Sequence, residues 1–180
     1  KDIILGVYYL TMALDGEPGE GMMFSSSSEL DHALNNHLVT LHSKIKARYK
    51  QLMEDGSEKT MIVDTTPGRY ILYHVLPRHH KVTFDIVNKL LINKDVGALM
   101  DYVYRHCGQK ETVMFADRLK ATGYHYSTIS GISIGKDDMY IPEEKWDIVA
   151  ETKNKVSEYE RQYLDGLITA GEKYNKAIDA

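Results

Sequence analysis

The chain has 180 residues, 43% of them hydrophobic, with one cysteine and a formal net charge of −4. That length and apolar share allow one sizeable core, or one core plus an appendage. The acidic balance excludes a global basic footprint for nucleic acid. The lone Cys107 excludes an internal disulfide framework and fits a reducing compartment, and no apolar run approaches the roughly 18 residues that a membrane span needs.

No signal-peptide pattern opens the chain. It begins at Lys1 rather than Met, as a processed chain, a trimmed one or a cut from something longer would. "KDIILGVYYLTMA" is apolar, β-branched and aromatic, and part of it is expected to be a strand. "DGEPGEGM" follows as a Gly/Pro loop. "SSSSELDHALNN" predicts a short helix with Ser28 as N-cap. In "LVTLHSKIKARYK", Val39, Leu41, Ile45, Ala47 and Tyr49 alternate with Thr40, His42, Lys44, Lys46 and Arg48. Period two makes this a strand with one apolar and one basic face. A turn at "EDGS" and the strand "EKTMIVDTT" complete a hairpin. Thr66 then caps a helix whose first residue is Pro67, and Pro77 stops it.

"NKDVGALMDYVYRHCG" predicts a helix capped by Asn93 and ended by Gly108, and "KETVMFADRLKATG" a second one ended by Gly123. "HYSTISGISIG" is expected to be strand and turn. Downstream, Val149, Thr152, Val156, Tyr159 and Tyr163 recur at 3-4-3-4 among charged residues, a narrow seam on a long solvated helix. Asp165-Gly166 is a turn, and Thr169 with Glu172 reads as a capping box opening a return helix. About two and a half turns of that helix follow, too few to match the seam. The expected fold is α+β: a small mixed sheet with packed helices over 1–138, then a partial helical hairpin over 139–180.

The chemistry is sparse. Eight histidines give neither HExxH nor a paired Cys/His spacing, so no metal site is assigned. The acidic pairs Asp137-Asp138 and Glu143-Glu144 flank Pro142, where acids favour a helix N-terminus. "GEPGEG" lacks the Lys-Ser/Thr and the strand–helix context of a phosphate cradle. The basic face of His42, Lys44, Lys46, Arg48 and Lys50 fits nucleic acid, nucleotide, an acidic protein or plain solvent. A stand-alone helical interaction module is one functional reading. A small enzyme using the histidines is another.

"DIILGVYYLT", "GEGM", "LHSKIKAR", "DTTPGRYIL", "TGYHYSTISGISIGKDDMYIPEEK" and "QYLDGLITAGEKYNKAID", in this order, resemble the beta-prime subunit of bacterial RNA polymerase over nearly the whole chain. The resemblance implies a pore region followed by the first part of the rim helices of the secondary channel, through which nucleoside triphosphates pass. It implies a cytoplasmic, nucleoid-associated nucleotidyltransferase with beta, alpha and omega as partner subunits, and contact with DNA and RNA only through the whole enzyme. The family's three-Asp magnesium loop is absent here, so magnesium belongs elsewhere in the subunit and the isolated segment is expected to be inactive. The resemblance places a tip for Gre-type and DksA-type factors at Asp165, Gly166, Leu167, Ile168, Thr169 and Ala170. It places ppGpp contacts at Lys110 and Asp117, with Ala121 where the family carries an aromatic. It places a second ppGpp set at Lys173, Asn175, Lys176 and Asp179, with Lys where the family has Arg at 173. Lys44, Lys46 and Arg48 would line the channel electrostatically.

Overall fold

The computed structural model describes all residues from Lys1 to Ala180, in two compact units, Lys1–Ile132 and Ser133–Ala180. In the first unit the elements run α1 (Asp2–Thr11), β1 (Met23–Phe24), α2 (Ser27–Asn35), β2 (Ile45–Leu52), β3 (Glu58–Thr65), α3 (Pro67–Val75), a 3-10 turn (Phe84–Ile86) and α4 (Asn93–Ser130). The second unit holds a 3-10 turn (Lys136–Asp138), α5 (Glu144–Leu164) and α6 (Ala170–Asp179).

The sheet is small and mixed, in the order β1-β2-β3, with β1 parallel and β3 antiparallel to β2. The hairpin register pairs Ile45 with Thr65 and Leu52 with Glu58. Ile45, Ala47 and Tyr49 are buried on one face of β2, as the alternation predicts, while Lys46, Arg48 and Lys50 are exposed on the other. They pack with Phe24, Leu30, Val39, Tyr70 and Phe84 in one core. A second core joins Val7 and Leu10 of α1 to Leu72 of α3 and to Leu99, Val103, Phe115 and Leu119 of α4. The α+β class follows.

Four local expectations change. The N-terminal apolar run is a helix, α1, and not a strand. It is apolar nearly all round, so periodicity could not choose, and packing against α3 and α4 decided over β propensity. The strand expected from Leu38 begins at Ile45, because Thr40 and Ser43 close a turn before it: Thr40 N–H donates to Ser43 Oγ at 2.8 Å, and Ser43 Oγ donates to Pro18 O at 2.8 Å. His42 therefore lies buried and not on the basic face. Gly108 leaves the helical region (φ 82°, ψ 175°), so the first helical arm of α4 ends there as expected and the second follows at once. Gly123, by contrast, does not end the second arm. "HYSTIS" continues α4 to Ser130, so the expected strand and turn are helix. The caps also shift. Ser26 rather than Ser28 caps α2, accepting from Glu29 N–H at 3.2 Å, and Ile92 rather than Asn93 precedes α4, its N–H held by Asp95 at 3.2 Å.

Gly123 is interior because α1 crosses there. A β-carbon on it would sit 2.7 Å from Ile3 O, and one on Gly6 would run into the Gly123 carbonyl. Gly68 of α3 meets the Leu10 carbonyl in the same way. The far end of α1 is bolted by Thr11. Its hydroxyl donates to Val7 O at 2.8 Å and accepts from Leu91 N–H at 3.0 Å, and its carbonyl accepts from Arg69 Nε at 2.9 Å. A guanidinium at a helix C-terminus also meets the negative end of the helix dipole.

Gly123→Ala should therefore destabilise the first unit by about 3 kcal/mol or more, since overpacking here displaces backbone. Gly97→Ala, in the same helix with open space at its β-carbon, should stabilise by up to about 1 kcal/mol. Urea denaturation of both variants checks the pair. Burial holds the His42 imidazole below its ordinary pKa, against smaller opposing effects of the Met12 carbonyl and the Glu17 charge. The folded chain thus resists protonating His42, and its contribution is full above the unfolded value of about 6.5 and lost as pH falls below it. His42→Asn should flatten the drop in unfolding free energy between about pH 7 and pH 5, measured by denaturation at each pH.

Candidate functional site

Candidate residues fall in three places. On β2 and the residue before it, the basic face is largely compensated from within. Lys44 pairs with Asp15, Lys46 with Asp64 at 3.9 Å, and Lys50 with Glu58 at 3.2 Å. Glu58 also takes Arg78. The Asp15 carboxylate raises the Lys44 pKa, and Lys50 and Arg78 lower that of Glu58. Arg48 alone has no acidic partner on this face.

The second place is the arm of α4 beyond Gly108. Lys110 and Asp117 are exposed and seven residues apart, which puts them on one stripe of the helix about 10 Å apart along the axis. Asp117 is engaged with Lys120 at 3.1 Å. Ala121 is exposed on the same stripe and offers only a methyl. Tyr124, 51% exposed, lies on that stripe one turn further on, so a ring is present after all. The sequence reading missed it, although the spacing 110, 117, 124 marks it.

The third place is the hairpin of the second unit. Its tip is built by two caps set back to back. Gly166 takes the left-handed conformation (φ 74°), which a side chain would resist. Leu167 N–H donates to Gln162 O at 2.9 Å and Gly166 N–H to Tyr163 O at 3.1 Å, closing α5 with a Schellman pattern. Three residues later Thr169 opens α6. Its Oγ1 accepts from Glu172 N–H at 3.2 Å, and Glu172 Oε2 accepts from Thr169 N–H at 2.8 Å. These bonds hold the Glu172 carboxyl below the usual carboxylate range. Leu167 is 72% exposed at the tip, Ile168 is half-buried, and Asp165 and Ala170 are exposed.

Behind the tip the two helices are tied by cations over rings. Lys173 Nζ sits 2.9 Å from Glu160 and 4.4 Å from the centre of the Tyr163 ring, and Lys176 lies 5.5 Å over Tyr159. The seam tyrosines Tyr159 and Tyr163 thus meet the ammonium heads of α6 lysines. Asn175, Lys176 and Asp179 fall within an arc of about 100° on α6, with Lys173 about 60° beyond it. The structure does not draw the four into one cluster. No three His, Cys, Asp or Glu side chains gather into a metal-holding group, and no helix is long and apolar enough to cross a membrane.

Residues 1–139 match the family model for RNA polymerase Rpb1, domain 3. The chain belongs to this family. The match spans the whole first unit and the opening of the second, and the α5–α6 hairpin lies beyond it. The Rpb1 domain is thus the α+β unit, with its two cores meeting at Tyr73. The chain is accordingly part of the largest subunit of DNA-directed RNA polymerase, a nucleotidyltransferase complex, and the other polymerase subunits are its partners.

Removing the cap hydroxyl tests how far the tip depends on it. Thr169→Ala should cost α6 about 1 kcal/mol. Amide exchange over α6 should then accelerate about fivefold, with the first unit unchanged, as hydrogen-exchange mass spectrometry would show.

Proposed function

We propose that the chain is the pore region of a bacterial beta-prime subunit with the first part of its rim helices, framing the secondary channel through which nucleoside triphosphates reach the active centre. The observation that carries this reading is a polymerase domain matched through residue 139 that continues directly into a doubly capped helical hairpin. Tip residues Asp165 to Ala170 are set by backbone bonds and by the Thr169–Glu172 box and expose Leu167, as a docking point for Gre-type and DksA-type factors requires. The role of the chain is geometric and electrostatic, and magnesium-assisted phosphoryl transfer belongs to other segments of the enzyme. The proposed cellular setting is the bacterial cytoplasm, at the nucleoid.

Two ppGpp contacts are part of this reading. At the first, Lys110 supplies the cation for phosphate and Asp117 the acceptor for the guanine edge, with Tyr124 the exposed ring on that stripe. At the second, Asn175, Lys176 and Asp179 share one arc of α6, and Lys176 would have to leave the Tyr159 ring to reach a phosphate. Lys173 would have to leave Glu160 to reach a phosphate, and as a lysine it offers one point charge where an arginine offers a fork.

A photo-crosslinking residue at Leu167 in the whole polymerase should capture a Gre-type cleavage factor. Failure to capture either that factor or a DksA-type one would overturn the docking role. Among the channel cations, charge reversal at Arg48 should raise nucleotide KM about threefold at low salt and less at high salt. Reversal at Lys44 or Lys46, whose charges are already paired, should do less. Steady-state transcription kinetics at two ionic strengths checks the ranking.

A further inference from the structure

A cleft of 390 Å³ opens beside β2 in the first unit. It exists because β1 is short. Lys46 N–H donates to Met22 O and Lys44 O accepts from Gly21 N–H, so even-numbered residues of β2 turn their backbone toward β1. The last β1 residue, Phe24, pairs with Ala47. Arg48 O is taken by the Tyr70 hydroxyl at 3.1 Å, which leaves the Lys50 backbone facing the cleft with no strand opposite.

Gln51 lines this cleft and is only 6% exposed. Its Nε2 donates to the carbonyls of Leu52, Val82 and His80 at 3.1, 3.3 and 3.4 Å, and that fixes which end of the amide is which. Its Oε1 is buried with no donor. A buried acceptor left unpaired is costly and calls for a partner. Three cations, Arg48, Lys50 and Arg78, also line the cleft, and no carboxylate does. Glu58 pairs with Lys50 and Arg78 from outside the lining. The lining itself is therefore cationic, in a chain whose overall balance is negative, and Glu29, which accepts from the Ser25 N–H at 2.7 Å, stands beside it with Glu58. Tyr73 and His74 supply ring surface at the wall.

We propose that this cleft binds a small organic phosphate monoester carrying a hydroxyl or amino group, its dianion held by Arg48, Lys50 and Arg78 and its donor satisfying Gln51 Oε1. A phosphate monoester is close to doubly negative at neutral pH, which suits a lining with three cations and no carboxylate. The volume lies in the range of small-molecule sites, about 300–1,000 Å³. The inference does not depend on the channel or on the hairpin.

The test is lysine footprinting on the intact polymerase, with glycerol phosphate as probe and acetylation read by mass spectrometry. Lys50 should be acetylated about fivefold more slowly at several times the dissociation constant. Lys46, four residues away on the same strand but outside the cleft, is the internal reference and should not change. Glycerol at matched ionic strength should protect neither, and Arg78→Gln should abolish the protection. Equal slowing at Lys50 and Lys46 would mean diffuse screening and overturn the proposal. So would no slowing at any probe concentration, or a Lys50 that resists acetylation before any probe is added because another subunit fills the cleft.

Discussion

The first unit rests on the closeness with which α1 lies against its neighbours. Gly6 and Gly123 let the backbones of α1 and α4 touch, and Gly68 does the same between α3 and Leu10. Close backbone approach is what puts Val7 and Leu10 at zero exposure among Leu72, Leu99, Val103, Phe115 and Leu119. Each such side chain contributes about 1.5–3 kcal/mol when fully buried. The polar bolts at Thr11 then fix how far α1 can slide along its groove. The break at Gly108 belongs to the same arrangement. It divides α4 into two arms, and residues of both arms reach the core that α1 enters.

What could be read from the sequence was what is decided locally. The Thr66-Pro67 start of α3, the β2–β3 hairpin and the Thr169–Glu172 box each depend on residues a few positions apart, and each is present. What could not be read is decided by distant partners. "KDIILGVYYLTMA" offers apolar residues at every angle, so neither period wins until α3 and α4 are in place. Gly123 looks like a helix stop because the residue facing it, Ile3, is far away in the chain. His42 looked like a strand residue facing solvent. The Thr40–Ser43 turn, anchored on the Pro18 carbonyl, turned it inward against Tyr9.

The candidate site was legible in the same uneven way. The tip residues 165 to 170 were visible because capping has a short-range signature. The engagement of Lys173 with Glu160 was not, since it depends on the register between α5 and α6. Membership of the polymerase largest subunit rests on the α+β unit. The hairpin adds a tip whose shape is held by the backbone bonds around Gly166 and by the Thr169–Glu172 box, and it leaves Leu167 exposed.

The ion pairs along β2 have an effect beyond stability. Each surface pair is worth little as a bond. Together they turn the strand into a row of small dipoles, Lys44 and Lys46 each with its own counter-charge a few ångströms away and Lys50 sharing Glu58 with Arg78. The potential of a dipole dies away faster with distance than that of a lone charge, and salt shortens its range further. An anion drifting past would sense Arg48 from farther off than Lys44 or Lys46. The strand would act less as an evenly attractive surface than as a beacon at its Arg48 end, with quiet ground before it.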